Sequence, residues 1–397
     1  MSGIKDLTNV WKNIREVDLR PIQEQALRLV KLAIVGRPGV GRHTLADQMR
    51  RDPQRPESKT QTILSISDLN SEDWVAAAEL IILMLDATSN DSRQEQALAK
   101  KWAEAGKNVV VLFNKIDLLV NQQIITSSMG WQVERVLYGT ALDEGFVQRE
   151  FVPVVLELLP ERHLALGRQF PIFRTAIANQ LIQESCYANA FYSLSTGIAE
   201  VVPVFDIPLN ITDMVVLTKA QAFLVYRLGL ALGFSTRWQD YLGEFGSVVG
   251  SGFVWRQMAR SLIGLIPGLG IVPKVAVAYS GTYVVGHVVL QWYLTGRHVS
   301  NQQMRALYMQ ALQNGKVFAQ SMVSRLPRTR IAPRLPRLRI ASRLPRPRLG
   351  WRKAAQLPAL STKTCVFCGK PNAPDANLCQ YCGQNFYPVL PEDNAGQ

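Results

Sequence analysis

Gly36, Gly39 and Gly41, in the stretch GRPGVGRHTL, are spaced to bring backbone amides up against phosphate oxygens. Glycines this close together leave the chain short of Cβ atoms, so that successive N–H groups can turn inward around an anion. Thr44 and Leu45 then open a helix whose positive end favours the same anion. The template for a phosphate-binding loop is Gly, four residues, Gly-Lys and then Ser or Thr. Here Arg42 stands in the lysine position and His43 in the hydroxyl position. Arg42 keeps the charge but presents a planar fork in place of a compact ammonium. His43 offers an imidazole where magnesium takes hard oxygen, and Thr44, one residue on, is rotated about 100° around the helix. The same glycines also suit a tight strand-to-helix turn that holds no ligand.

A second constellation lies downstream. FNKIDLL puts Asn114, Lys115 and Asp117 directly after an apolar run. A carboxylate at Asp117 can accept two N–H bonds from the edge of a guanine, with Asn114 bracing the loop and Lys115 lying along the base. Without that edge the carboxylate has no partner, which sets guanine apart from adenine.

A third is formed by four of the five cysteines. Cys365 and Cys368, then Cys379 and Cys382, make two Cys-x-x-Cys knuckles in CVFCGKPNAPDANLCQYCG. Two such knuckles complete a tetrahedron of thiolates around zinc, with no open position for chemistry, so the expected role is structural. Cys186, alone in an apolar helical stretch, reads as an ordinary buried thiol.

The elements that must position these residues follow from pattern. KLAIVG (31–36) runs into the glycine loop, and TILSIS (62–67) reads as a strand. LIILMLDA (80–87) and NVVVLFNK (108–115) are continuous apolar, β-branched runs of the kind buried on both faces of a parallel sheet. SRQEQALAKKWAEAG (92–106) between them has helix composition and ends in glycine. Strands alternating with helices give a doubly wound α/β domain over 31–162, preceded by an amphipathic helix within 1–30. From 163 to 320 the chain becomes helical, apolar and poor in charge. Val275–Leu294 holds twenty residues without a formal charge, long enough to span a hydrocarbon core. Gly281 and Gly286 are suited to close helix approach, and Trp292 and Tyr293 to an interface. His287 reads as a bundle-facing polar residue.

Residues 321–361 form a linker in which RLPR recurs at Arg325, Arg334 and Arg343. Its prolines forbid a stable helix, and a nine-residue period on a polyproline II chain lines the arginines along one edge. Arg325–Lys353 contains ten Arg, one Lys and no acidic residue, which accounts for +11 of the net +13 and leaves +2 for the rest. This basic edge suits anionic lipid headgroups or nucleic-acid phosphates, and a solvated linker is the plain alternative. Residues 362–390 hold the cysteine module. The N-terminus MSGIKDLTNVWKN has no apolar signal region, which together with a thiolate zinc site points to a reducing compartment.

VGRPGVGRHTL, VVLFNKIDLL and YGTALDEGF together resemble the first, fourth and fifth motifs of a P-loop GTPase of the Era-like group. The resemblance implies that Ala141, after Thr140, offers its amide to the guanine carbonyl. It also marks what is altered. The third motif, Asp-x-x-Gly, has its nearest match in Asp68, with Ser71 in the glycine position; the switch threonine has no clear equivalent, and Thr60 and Thr62 are the positions where it could be placed. Residues 163–320, with RTAIANQLI and SLIGLIPGLGIVPKVAVAYSGTYVVGHVVLQWYL, resemble the helical domain of the YcjF-like group of bacterial proteins, and the cysteine module resembles a bacterial zinc ribbon.

The sequence thus predicts an α/β domain with a mostly parallel sheet, an all-α apolar domain and a zinc ribbon. The expected nucleotide is GTP or GDP, with magnesium in question and hydrolysis slow or absent, and no catalytic residue is assigned. The binding residues are Gly36, Gly39, Gly41, Arg42, Thr44, Asn114, Lys115, Asp117, Thr140 and Ala141. The expected setting is the bacterial cytoplasm, at the cytoplasmic face of the inner membrane, with the protein acting as a membrane-associated switch or scaffold. The alternative is a pseudo-GTPase adaptor that binds a protein, lipid or RNA partner through its zinc ribbon and arginine repeat.

Overall fold

The computed structural model describes residues 19–119 apart from 54, 71 and 90, residues 130–201, 209–241 and 271–325 apart from 298, and two short strands at 363–364 and 371–372. Of the expected N-terminal helix, α1 (Arg20–Leu27) falls within these bounds.

Five strands form one parallel sheet in the order β4-β1-β5-β6-β7. They are β1 (Leu32–Gly36), β4 (Ser65–Ser67), β5 (Leu80–Asp86), β6 (Asn108–Asn114) and β7 (Arg135–Tyr138). The strands β1, β5 and β6 are apolar on both faces because both faces are covered. On one face Ala33, Val35, Ile81, Leu83, Val109 and Val111 pack with Val75 of α3 (Glu72–Ala77) and with Ala99 and Trp102 of α4 (Arg93–Glu104). On the other, Ile34, Ile82 and Leu112 join Leu45 and Met49 of α2 (Arg42–Arg50) and Val152 and Val155 of α5 (Val152–Leu158).

Two features depart from the sequence reading. The strand expected over 62–67 begins only at Ser65, because the Thr62 hydroxyl is held 2.5 Å from the Gln169 carbonyl. Between α2 and β4 the chain instead makes a small antiparallel hairpin, β2 (Arg51–Asp52) with β3 (Arg55–Lys59), which lies outside the main sheet.

The second buried face continues without a break into the helical part, through Leu164, Phe170, Phe173 and Ile177. Its helices are α6 (His163–Gln169), α7 (Arg174–Val201), α8 (Leu209–Ala231), α9 (Ile271–Thr295) and α10 (Asn301–Arg325). Gln169 stitches three segments together: its side chain accepts from the Val30 amide at 3.3 Å and donates to the Arg28 carbonyl at 3.2 Å, while its carbonyl accepts from Thr62. Nearby, Arg174 pairs with Asp52 on the hairpin at 3.2 Å.

The helix that covers the span-length run, α9, packs against α7 and α10. Among the described residues no helix is long and apolar enough to cross a membrane. Ser280, Thr282 and His287 interrupt the apolar run, and all three are buried. The Asn189 amide donates to the Thr282 hydroxyl at 2.8 Å across the α7–α9 contact. A Cβ at Gly286 would stand 2.6 Å from Ile182, so the expected close approach is real there, whereas at Gly281 the nearest atom would be 3.8 Å away. Tyr293, read as an interfacial aromatic, is buried, with its ring centroid 4.8 Å from that of Phe234.

Candidate functional site

The glycine loop leaves the C-terminal end of β1, where helix N-termini and strand ends of a parallel sheet converge on ligands. Gly36 sits so close to β5 that an added Cβ would lie 2.4 Å from the Met84 carbonyl oxygen. The loop then turns through Gly39 at φ +82° and Gly41 at φ +97°, values that L side chains rarely adopt. Gly41 is crowded as well: a Cβ there would stand 2.3 Å from Nδ2 of Asn114. The helix α2 opens directly after it at Arg42.

Arg42 is turned away from solvent, with its side chain 11% exposed. Its Nη1 donates to the Ser67 carbonyl at 2.5 Å and to Oδ1 of Asp68 at 2.5 Å, both at the end of β4. His43 is exposed and Thr44 half-buried. Arg37, one residue into the loop, is tied to α4: Nε and Nη2 reach the carboxylate of buried Glu95 at 2.6 and 3.1 Å.

These residues do not fit magnesium. P-loop GTPases hold the ion with the hydroxyl after the loop lysine and with the acid of the third motif. Here the first is an exposed imidazole, and the second is bonded to a guanidinium. Ser71 lies outside the described residues. Thr60 and Thr62 do not supply the switch hydroxyl either, because both are bonded to the Gln169 carbonyl, at 3.4 and 2.5 Å.

The base end is built from β6 and the turn after β7. The buried Asn114 carboxamide joins them: Nδ2 donates to the Val40 carbonyl in the glycine loop at 2.7 Å, and Oδ1 accepts from the Ala141 amide at 2.7 Å. The Ala141 amide, which the resemblance assigns to a guanine carbonyl, is thereby committed to Asn114. The Thr140 hydroxyl accepts from the Leu142 amide at 3.4 Å, and Asp143 caps the helical turn that begins at Glu144 by accepting from the Gly145 amide.

Lys115 adopts φ +66°, and its Nζ lies 2.6 Å from Oδ2 of Asp86 at the end of β5. Burial opposes the charged form of Asp86, but hydrogen bonds from Lys115 and from the hydroxyl and amide of Thr88 outweigh it and hold the carboxyl below the usual carboxylate range. Asp117 stands in the single turn Ile116–Leu118, exposed and with no hydrogen bond or ion pair among the described residues.

The structure therefore brings Gly36, Gly41, Arg42, Asn114, Lys115 and Ala141 to one end of the sheet. It pairs Asp68, the nearest match to the third-motif acid, with Arg42, and adds Asp86 and Glu95, which the motifs did not single out. Asp68 directly follows β4, Asp86 is the last residue of β5 and Glu95 lies in the first turn of α4, and these places at strand ends and a helix start were the signal available in the sequence.

Cys365, Cys368, Cys379 and Cys382 lie outside the described residues, as does the arginine repeat. The strands β8 (Lys363–Thr364) and β9 (Pro371–Asn372) pair antiparallel on either side of the first knuckle. Among the described residues no group of three or more His, Cys, Asp or Glu is placed to hold a metal.

No protein-family model matches the chain. Similarity to characterised proteins is distant. GTPase Der of Thermotoga sp. (strain RQ2) is 25% identical over 189 residues, covering 31% of this chain and 43% of that protein. GTPase Der of Desulforudis audaxviator (strain MP104C) is 24% identical over 194 residues, covering 39% of this chain and 44% of that protein. GTPase Der of Akkermansia muciniphila is 24% identical over 129 residues, covering 24% of this chain and 28% of that protein. The chain spans less than half the length of these relatives. Taken with the parallel sheet order, the likeness gives an α/β domain of the P-loop GTPase-like fold.

Proposed function

We propose that this chain binds a guanine nucleotide at the C-terminal end of its sheet and acts as a scaffold or switch, with GTP hydrolysis slow or absent. The observation that carries the reading is Asp117: an exposed carboxylate with no partner among the described residues, on a loop fixed by Asn114 to the glycine loop. A carboxylate so placed is matched to the two N–H groups of a guanine edge, and an adenine leaves it unpaired. The distant likeness to proteins named GTPase Der supports the same nucleotide. Hydrolysis needs a positioned water and a held metal ion, and His43 occupies the position of the metal-holding hydroxyl. Calorimetric titration of the full chain with GDP, GTP and ADP tests this. Guanine-selective binding is expected, and equal binding of ADP would count against the role of Asp117.

A second reading is favoured by a different observation. Arg42, Lys115 and the Ala141 amide each have a partner within the chain, so the loops hold their shape without a ligand. In that case the α/β domain is the frame of an adaptor, and the arginine repeat and cysteine module carry the partner. Failure of every guanine nucleotide to bind at millimolar concentration would select this reading.

A further inference from the structure

Three cations stand at the ligand-binding end of the sheet, and each is paired differently. Arg37 uses both Nε and Nη2 on the carboxylate of Glu95, whose side chain is 4% exposed, so its charge is neutralised and turned toward α4. Lys115 is held by Asp86, which also accepts from Thr88. Arg42 differs from both. A single nitrogen, Nη1, serves its two acceptors, the Ser67 carbonyl and the Asp68 carboxylate. A guanidinium has five N–H donors, and those on Nε and Nη2 have no partner among the described residues. The acceptor Asp68 is 61% exposed, while the Arg42 side chain is 11% exposed. The cation is the fixed member of the pair.

The location of the pair gives it meaning. Arg42 is the first residue of α2, directly after Gly41, and Asp68 directly follows β4, the strand beside β1. A divalent ion in this fold sits between these two elements, held by the loop hydroxyl and the third-motif acid. Magnesium there demands oxygen ligands at about 2.0–2.1 Å in octahedral geometry. A nitrogen 2.5 Å from the Asp68 carboxylate fills that space, and His43 supplies no hard oxygen.

We infer that the Arg42 guanidinium takes the place of the divalent cation, so that the site accepts a nucleoside diphosphate without metal. The inference rests on the guanine-nucleotide reading above. The spare donors of Arg42 form a planar fork matched to phosphate oxygens, and the loop amides and the start of α2 supply the rest. One guanidinium carries a single charge where magnesium carries two. A third phosphate adds negative charge toward Asp68 with no further cation to meet it, so the diphosphate is preferred over the triphosphate.

The test is titration of the full chain with a fluorescent GDP analogue, once in excess magnesium and once in excess EDTA. The two affinities are expected to agree within about twofold, and GTP to compete less well than GDP. A loss of about tenfold or more on chelation, equivalent to about 1.4 kcal/mol, overturns the inference and leaves the nucleotide reading standing. Absence of guanine-nucleotide binding in both conditions removes the nucleotide reading and the inference with it. Arg42→Gln is expected to lower affinity in EDTA by about tenfold or more. Unchanged binding of a folded Arg42→Gln chain in EDTA contradicts the assignment. Should that variant fail to fold, the magnesium and EDTA titrations of the unaltered chain decide the matter.

Discussion

Asn114 holds two loops with one carboxamide, its Nδ2 and Oδ1 each 2.7 Å from a backbone partner, the Val40 carbonyl in the glycine loop and the Ala141 amide after β7. The two loops are 74 and 27 residues away from it in sequence, so their alignment depends on a side chain 4% exposed to solvent. Asn114→Ala leaves both backbone groups buried and unpaired. The expected cost is about 1–3 kcal/mol for each, read as a lower midpoint in urea denaturation. A variant as stable as the parent would show that the loops align without the clamp.

Asp117 separates binding from folding. Because its carboxylate is exposed and has no partner among the described residues, Asp117→Ala should leave the thermal midpoint unchanged. It should abolish the preference for guanine over adenine, since each hydrogen bond lost from a charged acceptor is worth roughly 1.5–3 kcal/mol. Competition between GDP and ADP reads this directly, and retained guanine preference would place recognition elsewhere.

Acid should weaken the helical part through His287. Burial pushes its pKa down to about 3 from the ordinary 6.5, and the ring lies 4.1 Å from that of Tyr283. Below pH 6.5 the unfolded chain takes up a proton that the folded chain refuses, so folding stability declines as pH falls from 6.5 toward 3. The slope from this one group reaches at most about 1.4 kcal/mol per pH unit. Denaturation at a series of pH values should show the decline, and His287→Leu should flatten it. A variant with the parent's full slope would assign the titration to other groups.

The cysteine spacing predicts zinc bound by Cys365, Cys368, Cys379 and Cys382 in a closed tetrahedron, one ion per chain. Elemental analysis of the full chain before and after chelation, and of Cys365→Ser, checks it. Intact thiols that retain no zinc after preparation in zinc-replete medium would end that reading.

The parts of the fold that could be read in the sequence are those whose cause is local. LIILMLDA and NVVVLFNK are apolar at successive positions because β5 and β6 are covered on both faces, and the glycine spacing announces the loop because backbone approach demands it. The hairpin of β2 and β3 could not be read, since RPESK has no period and its place is set by the Arg174–Asp52 pair across 122 residues. The partner of Arg42 was hidden for the same reason, as Ser67 and Asp68 meet it only through the register of β4 on β1. The length and apolarity of α9 were legible, but not what covers it; α7 and α10 do so, and the buried Thr282 and His287 belong to that bundle.

The crowding at Gly36 and Gly41 bears on how such loops persist over descent. Gly36 is pressed against the Met84 carbonyl and Gly41 against Asn114, so selection for packing alone would preserve both, whether or not a nucleotide is ever bound. A lineage that abandoned its ligand would go on displaying the glycine signature for as long as it kept the sheet. The positions free to drift on such a loss are those that owe nothing to packing, the exposed His43 and Asp117 foremost. Variation at these two among descendants of this sequence, set against constancy at the glycines, would therefore record the history of the ligand separately from the history of the fold.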